Sequence, residues 1–112
     1  MTAALEKTFE VLSTSRNEAS VLVLLTALEK SEGTIYEQTL KSLVKRRNRI
    51  GHTAVLGHWH KLSEAHREIV SQGRGKMSAA LRDGILSTDE TLFQNACDVM
   101  VRFREFDLVS AL

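Results

Sequence analysis

Apolar residues recur along most of the chain at intervals of three and four, the spacing that places side chains on one face of an α-helix. The alternation of apolar and polar residues that predicts a half-buried strand is absent, and the chain contains no proline. The pattern therefore predicts an all-α protein. The predicted helices cover about residues 2–12, 17–30, 34–50, 53–71, 77–86 and 89–102, and a short apolar segment follows at 108–112.

Polar residues at the predicted boundaries indicate where these helices begin and end. Thr2 is placed to cap the first helix. Three pairs have the Ser/Thr-to-Glu spacing of a capping box, in which each side chain bonds the other's backbone N–H: Ser15/Glu18, Thr34/Glu37 and Ser87/Glu90. Gly51 is a natural stop for the third helix, and Gly57 is a position at which the fourth kinks or splits.

The second predicted helix is apolar nearly all round, which predicts burial on several sides. Its core is the stretch "ASVLVLLTAL", residues 19–28. The core candidates in the other helices are Leu5, Phe9, Leu12, Ile35, Leu40, Leu43, Val44, Ile50, Leu56, Trp59, Leu62, Ile69, Val70, Met77, Ala80, Leu81, Ile85, Leu92, Phe93, Ala96, Val99 and Met100.

Two parts of the chain resemble each other at an offset of 57 residues. Residues 28–56 read "LEKSEGTIYEQTLKSLVKRRNRIGHTAVL", and residues 85–112 read "ILSTDETLFQNACDVMVRFREFDLVSAL". Each part has a helix end, a short polar turn, a longer helix with a small residue in the middle of its face, and a further apolar segment. The matched positions are Leu28/Ile85, Ile35/Leu92, Thr39/Ala96, Leu43/Met100 and Val44/Val101. Repeated helix pairs joined by short turns are typical of α-solenoids.

This pattern resembles HEAT repeats over roughly residues 17–56 and 80–112. The resemblance implies a right-handed solenoid fragment of stacked antiparallel helix hairpins, which binds partners along one face and carries no catalytic residue. We expect a single helical-repeat domain over 1–112, with units at about 17–56 and 77–112 and an extra helix at about 57–72. Because the apolar segment 108–112 has no polar cap, we predict that the chain is cut from a longer protein and self-associates through this last helix.

Charge is unevenly distributed along the chain despite a net charge of only +1. Residues 41–82 contain ten basic and two acidic residues, whereas the segments on either side are acidic. This segment either complements acidic neighbours or presents a basic surface to an anionic partner. The most basic part, "KSLVKRRNRI", stands directly before a stretch that contains three of the four histidines.

These features favour a non-catalytic protein-binding or assembly scaffold over an enzyme, because no nucleophile, phosphate-loop or paired-carboxylate motif is present. His52, His58, His60 and His66 lack the one-turn spacing of a helical zinc pair, so we expect no metal site and no cofactor. The predicted binding surface combines the basic helix end with two histidines: Lys41, Lys45, Arg46, Arg47, Arg49, His58 and His60.

A helix-turn-helix or otherwise basic nucleic-acid-binding domain is the alternative, in which the same bases contact phosphates. Against it, Ile35 and Tyr36 occupy the positions at which a reading helix usually directs polar side chains to bases. The sequence also has no apolar run of the ~20 residues needed to cross a membrane. The single cysteine and the lack of a signal peptide predict a cytoplasmic protein.

Overall fold

A computed structural model describes residues 2–105, which contain seven α-helices and no strand. This confirms the all-α prediction. A single 3-10 turn, Trp59–Lys61, follows the fourth helix. The helices are α1 (Ala3–Thr14), α2 (Ala19–Lys30), α3 (Gly33–Lys45), α4 (Arg49–His58), α5 (Glu64–Ser71), α6 (Ser78–Ile85) and α7 (Glu90–Phe103). The predicted apolar segment 108–112, with its expected self-association, lies outside the described residues.

Helices α3 and α4 form the centre of the molecule. Helix α3 packs against α1, α2, α4 and α5, and α4 packs against α2, α6 and α7 as well. The result is an elongated body of 44 × 28 × 22 Å, with α1 and α2 toward one end and α6 and α7 toward the other. One continuous core of aliphatic and aromatic side chains runs through it.

Single side-chain oxygens accept hydrogen bonds at most of the helix starts, and none of the predicted capping boxes forms. Thr2 accepts from the N–H of Leu5 at 3.2 Å, as predicted. Before α2, however, Asn17 accepts from Ala19 at 2.9 Å, and before α7 Asp89 accepts from Thr91 and Leu92. Helix α3 begins at Gly33, so Thr34 lies inside it. Asn and Asp project an acceptor on a short, rigid stem, and this makes them as effective as Ser or Thr at this position.

The third predicted helix, 34–50, is wrong in its last five residues, 46–50. Helix α3 ends at Lys45, and a new helix begins at Arg49 because the Asn48 side chain accepts from the N–H of Gly51 at 2.8 Å. Gly51 therefore lies in the first turn of α4 and does not end a helix. A methyl group at Gly51 would lie 3.1 Å from Cδ2 of Leu43, so glycine here allows α3 and α4 to meet closely.

The fourth predicted helix splits just after Gly57. Helix α4 ends at His58, and Ser63 then caps α5 by accepting from the N–H of His66 at 3.2 Å. Trp59 lies in the turn between them and is buried. The guanidinium groups of Arg67 and Arg102 lie 4.8 and 5.6 Å from the centre of its ring. The region expected to form an extra helix at 57–72 thus consists of this turn and α5.

Outside α2, most of the predicted core is buried, with two clear exceptions. Ile50 is 64% exposed because the break between α3 and α4 turns it to the surface. Phe93 lies on the outer face of α7. Buried side chains that pattern reasoning did not single out include Phe103 at the end of α7.

The two resembling parts of the chain both contain a helix hairpin, α2–α3 and α6–α7. Four of the five matched pairs have similar burial: Leu28 and Ile85, Ile35 and Leu92, Thr39 and Ala96, and Leu43 and Met100. The fifth pair differs, because Val44 is buried and Val101 is 60% exposed. The inner faces of the two hairpins are therefore alike in burial, while their stacking as a HEAT-like solenoid stays a prediction.

Candidate partner-binding surfaces

The basic run after α3 does not form one exposed surface. Arg46 is buried and turns inward, where its guanidinium donates to three backbone carbonyl groups between α1 and α2. The acceptors are Leu12 at 2.8 Å, Ser15 at 2.5 Å and Asn17 at 3.3 Å. Arg46 thus satisfies the carbonyl groups that the end of α1 leaves without intrahelical partners. Its assignment to a partner-binding surface stays a prediction, and in the structure this guanidinium is engaged in holding the fold together.

Two further members of the predicted set are paired within the chain. Arg49 forms a bidentate ion pair with Asp83 of α6, and Lys41 pairs with Glu37 one turn earlier at 3.6 Å. The Asp83 hydrogen bonds raise the pKa of the Arg49 guanidinium and lower that of the Asp83 carboxyl. Within residues 2–105, the exposed Lys45 and Arg47 make no ion pair. The predicted basic surface is therefore narrower than the sequence suggests.

His58 lies at the end of α4 and joins three elements of the fold. Its Nδ1 is 3.1 Å from the hydroxyl of Tyr36, and its Nε2 is 2.9 Å from Oε1 of Glu29. The His58 hydrogen bond lowers the pKa of Glu29, and burial raises the pKa of Tyr36. The side chain of His58 is only 15% exposed. It is held by α2 and α3, and it presents little surface to a partner.

His60 is exposed but also hydrogen-bonded. The buried side-chain amide of Asn95 in α7 lies 2.9 Å from His60 Nδ1 and donates to the carbonyl oxygen of Leu56 at 2.8 Å. Asn95 thus connects α7 to the last turn of α4. Of the two histidines in the predicted set, His60 is the more exposed to solvent.

The four histidines do not form one cluster. The rings of His58 and His66 both lie near that of Tyr36, at centre distances of 6.2 and 5.4 Å, whereas His52 is buried and His60 bonds Asn95. Among residues 2–105, no three His, Cys, Asp or Glu side chains come together as a metal-binding group.

The outer face of α2 is an exposed apolar surface that sequence reasoning missed. Leu22 and Val23 are 65% and 53% exposed, although a helix apolar nearly all round was expected to be buried on several sides. They line a shallow groove of about 480 Å³ together with Thr26, Ala27, Lys30 and Ser31. The continuous apolar run was the available indication of this surface. Which face of α2 remains exposed to solvent depends on the neighbouring helices.

A second apolar groove lies along α1. It has a volume of about 410 Å³ and is lined by Ala4, Lys7, Thr8, Val11 and Leu12. Val11 is 55% exposed. Each groove thus combines an exposed branched side chain with one lysine. Contiguous exposed apolar surface of this kind is typical of sites that bind other molecules.

Comparison of the chain with protein-family models, with curated protein sequences and with solved structures gave no match in any of the three. No helix within the described range combines the length and hydropathy needed to cross a bilayer.

Proposed function

We propose that the protein is a non-catalytic protein-binding or assembly module, and that the outer face of α2 is its main binding surface. The supporting observation is the exposure of Leu22 and Val23, two adjacent apolar side chains in the middle of a helix whose other face is fully packed. Truncation of large side chains at the centre of an interface typically has the largest effect on affinity.

The chemistry of the groove defines the kind of partner. Its walls are mostly apolar, and among residues 2–105 Lys30 is the one charged side chain that lines it. A partner segment with an apolar anchor and an acidic residue beside it fits this arrangement, as when an amphipathic helix binds in a groove. The groove along α1 has the same combination, because Lys7 and the apolar Val11 both line it.

The repeat architecture is part of the same proposal. We propose that α2–α3 and α6–α7 are equivalent hairpins of a HEAT-like stack in a cytoplasmic protein. Support comes from the similar burial of four matched pairs, such as Thr39 and Ala96, and from the single cysteine. The outer surface of α2 would then be the face that such a stack presents to partners.

A nucleic-acid-binding domain is less well supported. Arg46 is buried against backbone carbonyls, and Lys41 and Arg49 are paired with carboxylates. Lys45 and Arg47 are the members of the run that remain exposed and make no ion pair within residues 2–105. Two cations provide little of the phosphate neutralisation on which nonspecific duplex binding depends.

A matched pair of double variants tests the binding surface. Leu22→Glu/Val23→Glu places charge on the α2 face, and Leu86→Glu/Val101→Glu makes the same change at side chains of similar exposure elsewhere, 60% each. Tagged proteins are cross-linked in cells, and the recovered partners are quantified by mass spectrometry. We expect the first variant to lose partners that the wild type and the control retain. Retention of the same partners by both folded variants would contradict the proposal.

A further inference from the structure

The match between the two parts of the chain extends beyond the hairpins. At the same offset of 57 residues α1 matches α5, with Leu5 at Leu62 and Leu12 at Ile69, so the chain contains two successive units, α1–α2–α3 and α5–α6–α7. All four of these side chains pack in or against the core. Helix α4 lies between the units and packs against α2 and α3 of the first and α6 and α7 of the second. It thus forms the internal junction between them.

We propose that a second copy of this chain binds the outer face of α2 and repeats the internal junction between two molecules. The α7 end of one copy then meets the α1–α2 end of the next, in a head-to-tail contact. This partner rests on the proposed function, because it is what binds the α2 face in that function. The support comes from four surfaces, two at the internal junction and two at the ends of the molecule.

The first surface is the side of α6 that α4 covers. Arg49, in the first turn of α4, forms an ion pair with Asp83 of α6, and it lines one cavity together with Ala79. Ala80, next to Ala79 on the same side of α6, is fully buried. Helix α4 therefore lies along the side of α6 that contains Ala79, Ala80 and Asp83.

The corresponding side of α2 is the open apolar groove. The matched pairs at the offset of 57 residues are Leu22/Ala79, Val23/Ala80 and Thr26/Asp83. All three α2 residues line the groove, and Leu22 and Val23 are 65% and 53% exposed. Within residues 2–105 α1 is the first helix, and no element lies on α2 as α4 lies on α6. The groove is thus the α6-like half of a junction that the described chain leaves uncovered.

The other half of the junction shows the same contrast. Val44, near the end of α3, is only 5% exposed. It lies against the loop before α6, because a methyl group added to Gly73 would be 2.8 Å from Cγ1 of Val44. The match of Val44 at the end of the second unit is Val101, which is 60% exposed. The one matched pair that differs in burial therefore differs where the first unit is followed by another.

These two uncovered surfaces are complementary because the internal junction already joins their counterparts. In the proposed contact, Val101 of one copy takes the place of Val44, and the next copy's α2 takes the place of α6. The two surfaces are different patches of the molecule, so the contact is heterologous and can continue from copy to copy. An unrelated apolar helix would explain the exposure of Leu22 and Val23 but not that of Val101 at the opposite end.

The sequence that follows α7 supplies a counterpart of α4. Residues 108–112, outside the described residues, read "LVSAL" and match "HTAVL" at 52–56 when a gap of one residue is allowed. Four of these five residues are apolar. In α4 the last two matched side chains, Val55 and Leu56, are fully buried. In the proposed contact, residues 108–112 of one copy lie in the α2 groove of the next.

The test is sedimentation equilibrium of the intact chain from about 1 µM to about 1 mM, the range in which weak self-association is measured. Because the segments at both ends are acidic, about 0.15 M salt is used to screen their repulsion. We expect the average mass to rise above 12.5 kDa with concentration. Val23→Glu and Val101→Glu should each weaken association by about tenfold or more. Ile50→Glu is the control, because Ile50 is 64% exposed at neither end, and should change it by less than about twofold.

Mixing the two end variants tests the direction of the contact. The Val23→Glu copy keeps an intact α7 end, and the Val101→Glu copy keeps an intact α2 face. An equimolar mixture should therefore form a complex of two chains and no larger one, although each variant alone stays monomeric. All three substituted residues are exposed, so the variants are expected to fold, and thermal unfolding verifies this.

Three results would overturn the head-to-tail contact. They are a wild-type mass that stays at 12.5 kDa at every concentration, self-association of Val101→Glu equal to that of the wild type, and a mixture that remains monomeric. The second result would indicate that two α2 faces bind each other. Each of these results leaves the proposed function standing if Leu22→Glu/Val23→Glu still loses other cross-linked partners. Retention of all partners by that variant would instead contradict the proposed function.

Discussion

The hairpins α2–α3 and α6–α7 follow the same apolar spacing but are completed differently. In the second hairpin the helices meet at Gly84 and Ala96, where a methyl group added to Gly84 would lie 2.6 Å from Cβ of Ala96. In the first hairpin α2 buries Leu24 and Leu28 and leaves Leu22 and Val23 exposed. Both hairpins expose apolar side chains, Leu22 and Val23 in the first and Phe93 and Val101 in the second. The same sequence pattern therefore does not decide which apolar side chains are covered, because that depends on the neighbouring elements.

The two hairpins also differ in the surroundings of an arginine that lies near the end of the second helix of each, α3 or α7. Arg46 follows α3 and is buried against backbone carbonyl groups. Arg102 lies in the last turn of α7, and donates to the Ser71 hydroxyl at 2.9 Å and to the exposed carboxylates of Glu64 and Glu68. The first connects buried segments, whereas the second lies near the surface in water-accessible ion pairs.

The largest effect is expected for Arg46→Met. Loss of the guanidinium leaves the backbone carbonyls of Leu12 and Ser15 without this donor, whereas that of Asn17 keeps the N–H of Ser20. Hydrogen bonds to charged groups contribute about 1.5–3 kcal/mol. We therefore expect the free energy of unfolding to fall by about 2–3 kcal/mol in urea titrations. The neighbouring exposed Arg47→Met is the control and should change it by less than about 0.5 kcal/mol. Equal effects of the two substitutions would disprove the structural role of Arg46.

Gly84→Ala tests the closed packing of the second hairpin. The added methyl group has no room beside Ala96, so α6 and α7 must move apart, and overpacking of this kind costs about 1–3 kcal/mol. Gly57→Ala is the matched control, because nothing lies within 4 Å of its added methyl group. There the better helix propensity of alanine should stabilise the protein by a few tenths to about 1 kcal/mol. Urea unfolding measures the free energy of unfolding of both variants. A loss of stability in Gly57→Ala but not in Gly84→Ala would contradict the close packing at Gly84.

Arg102→Met should have a smaller effect than Arg46→Met. Its carboxylate partners are 69% exposed, and ion pairs of this kind contribute up to about 1 kcal/mol. Because salt screens such pairs, the difference in the free energy of unfolding between this variant and the wild type should shrink when sodium chloride is raised about tenfold, from about 0.05 to about 0.5 M. The Arg46→Met difference should stay nearly constant over the same range. A salt-independent effect of Arg102→Met would show that its contact with Trp59 dominates.

The first turn of α4, which packs against the end of α3, should confer a pH dependence on stability. Burial lowers the pKa of His52 below its ordinary value of 6.5, and the nearby backbone carbonyls of Arg46, Val44 and Leu43 oppose this only in part. Below about pH 6.5 the unfolded chain therefore takes up the proton first, and stability falls as the pH decreases toward the folded pKa. We expect the wild type to lose more stability than His52→Asn between pH 7.5 and 5.5, measured by thermal unfolding at a series of pH values. An identical pH profile for the two proteins would contradict a lowered pKa.

The candidate surfaces show why site residues are harder to predict than helices. Lys45, Arg46 and Arg47 are adjacent and chemically similar, yet one is buried and two are exposed. Their orientation depends on the break after Lys45 and on carbonyl groups some thirty residues earlier in the chain. The pairing of Arg49 with Asp83 is equally non-local. A charge run predicts a basic surface only when nothing in the fold neutralises it.

By itself the sequence determined that this chain forms helices, where most of them lie, and which side of most of them is buried. Apolar spacing carries that information because it is a local property of the helix repeat. Tertiary structure alone decided that the face of α2 with Leu22 and Val23 stays open, that Arg46 turns inward, and that His52 is buried. Each of these depends on which distant segment occupies the adjacent space, and a linear pattern of residues does not contain that information.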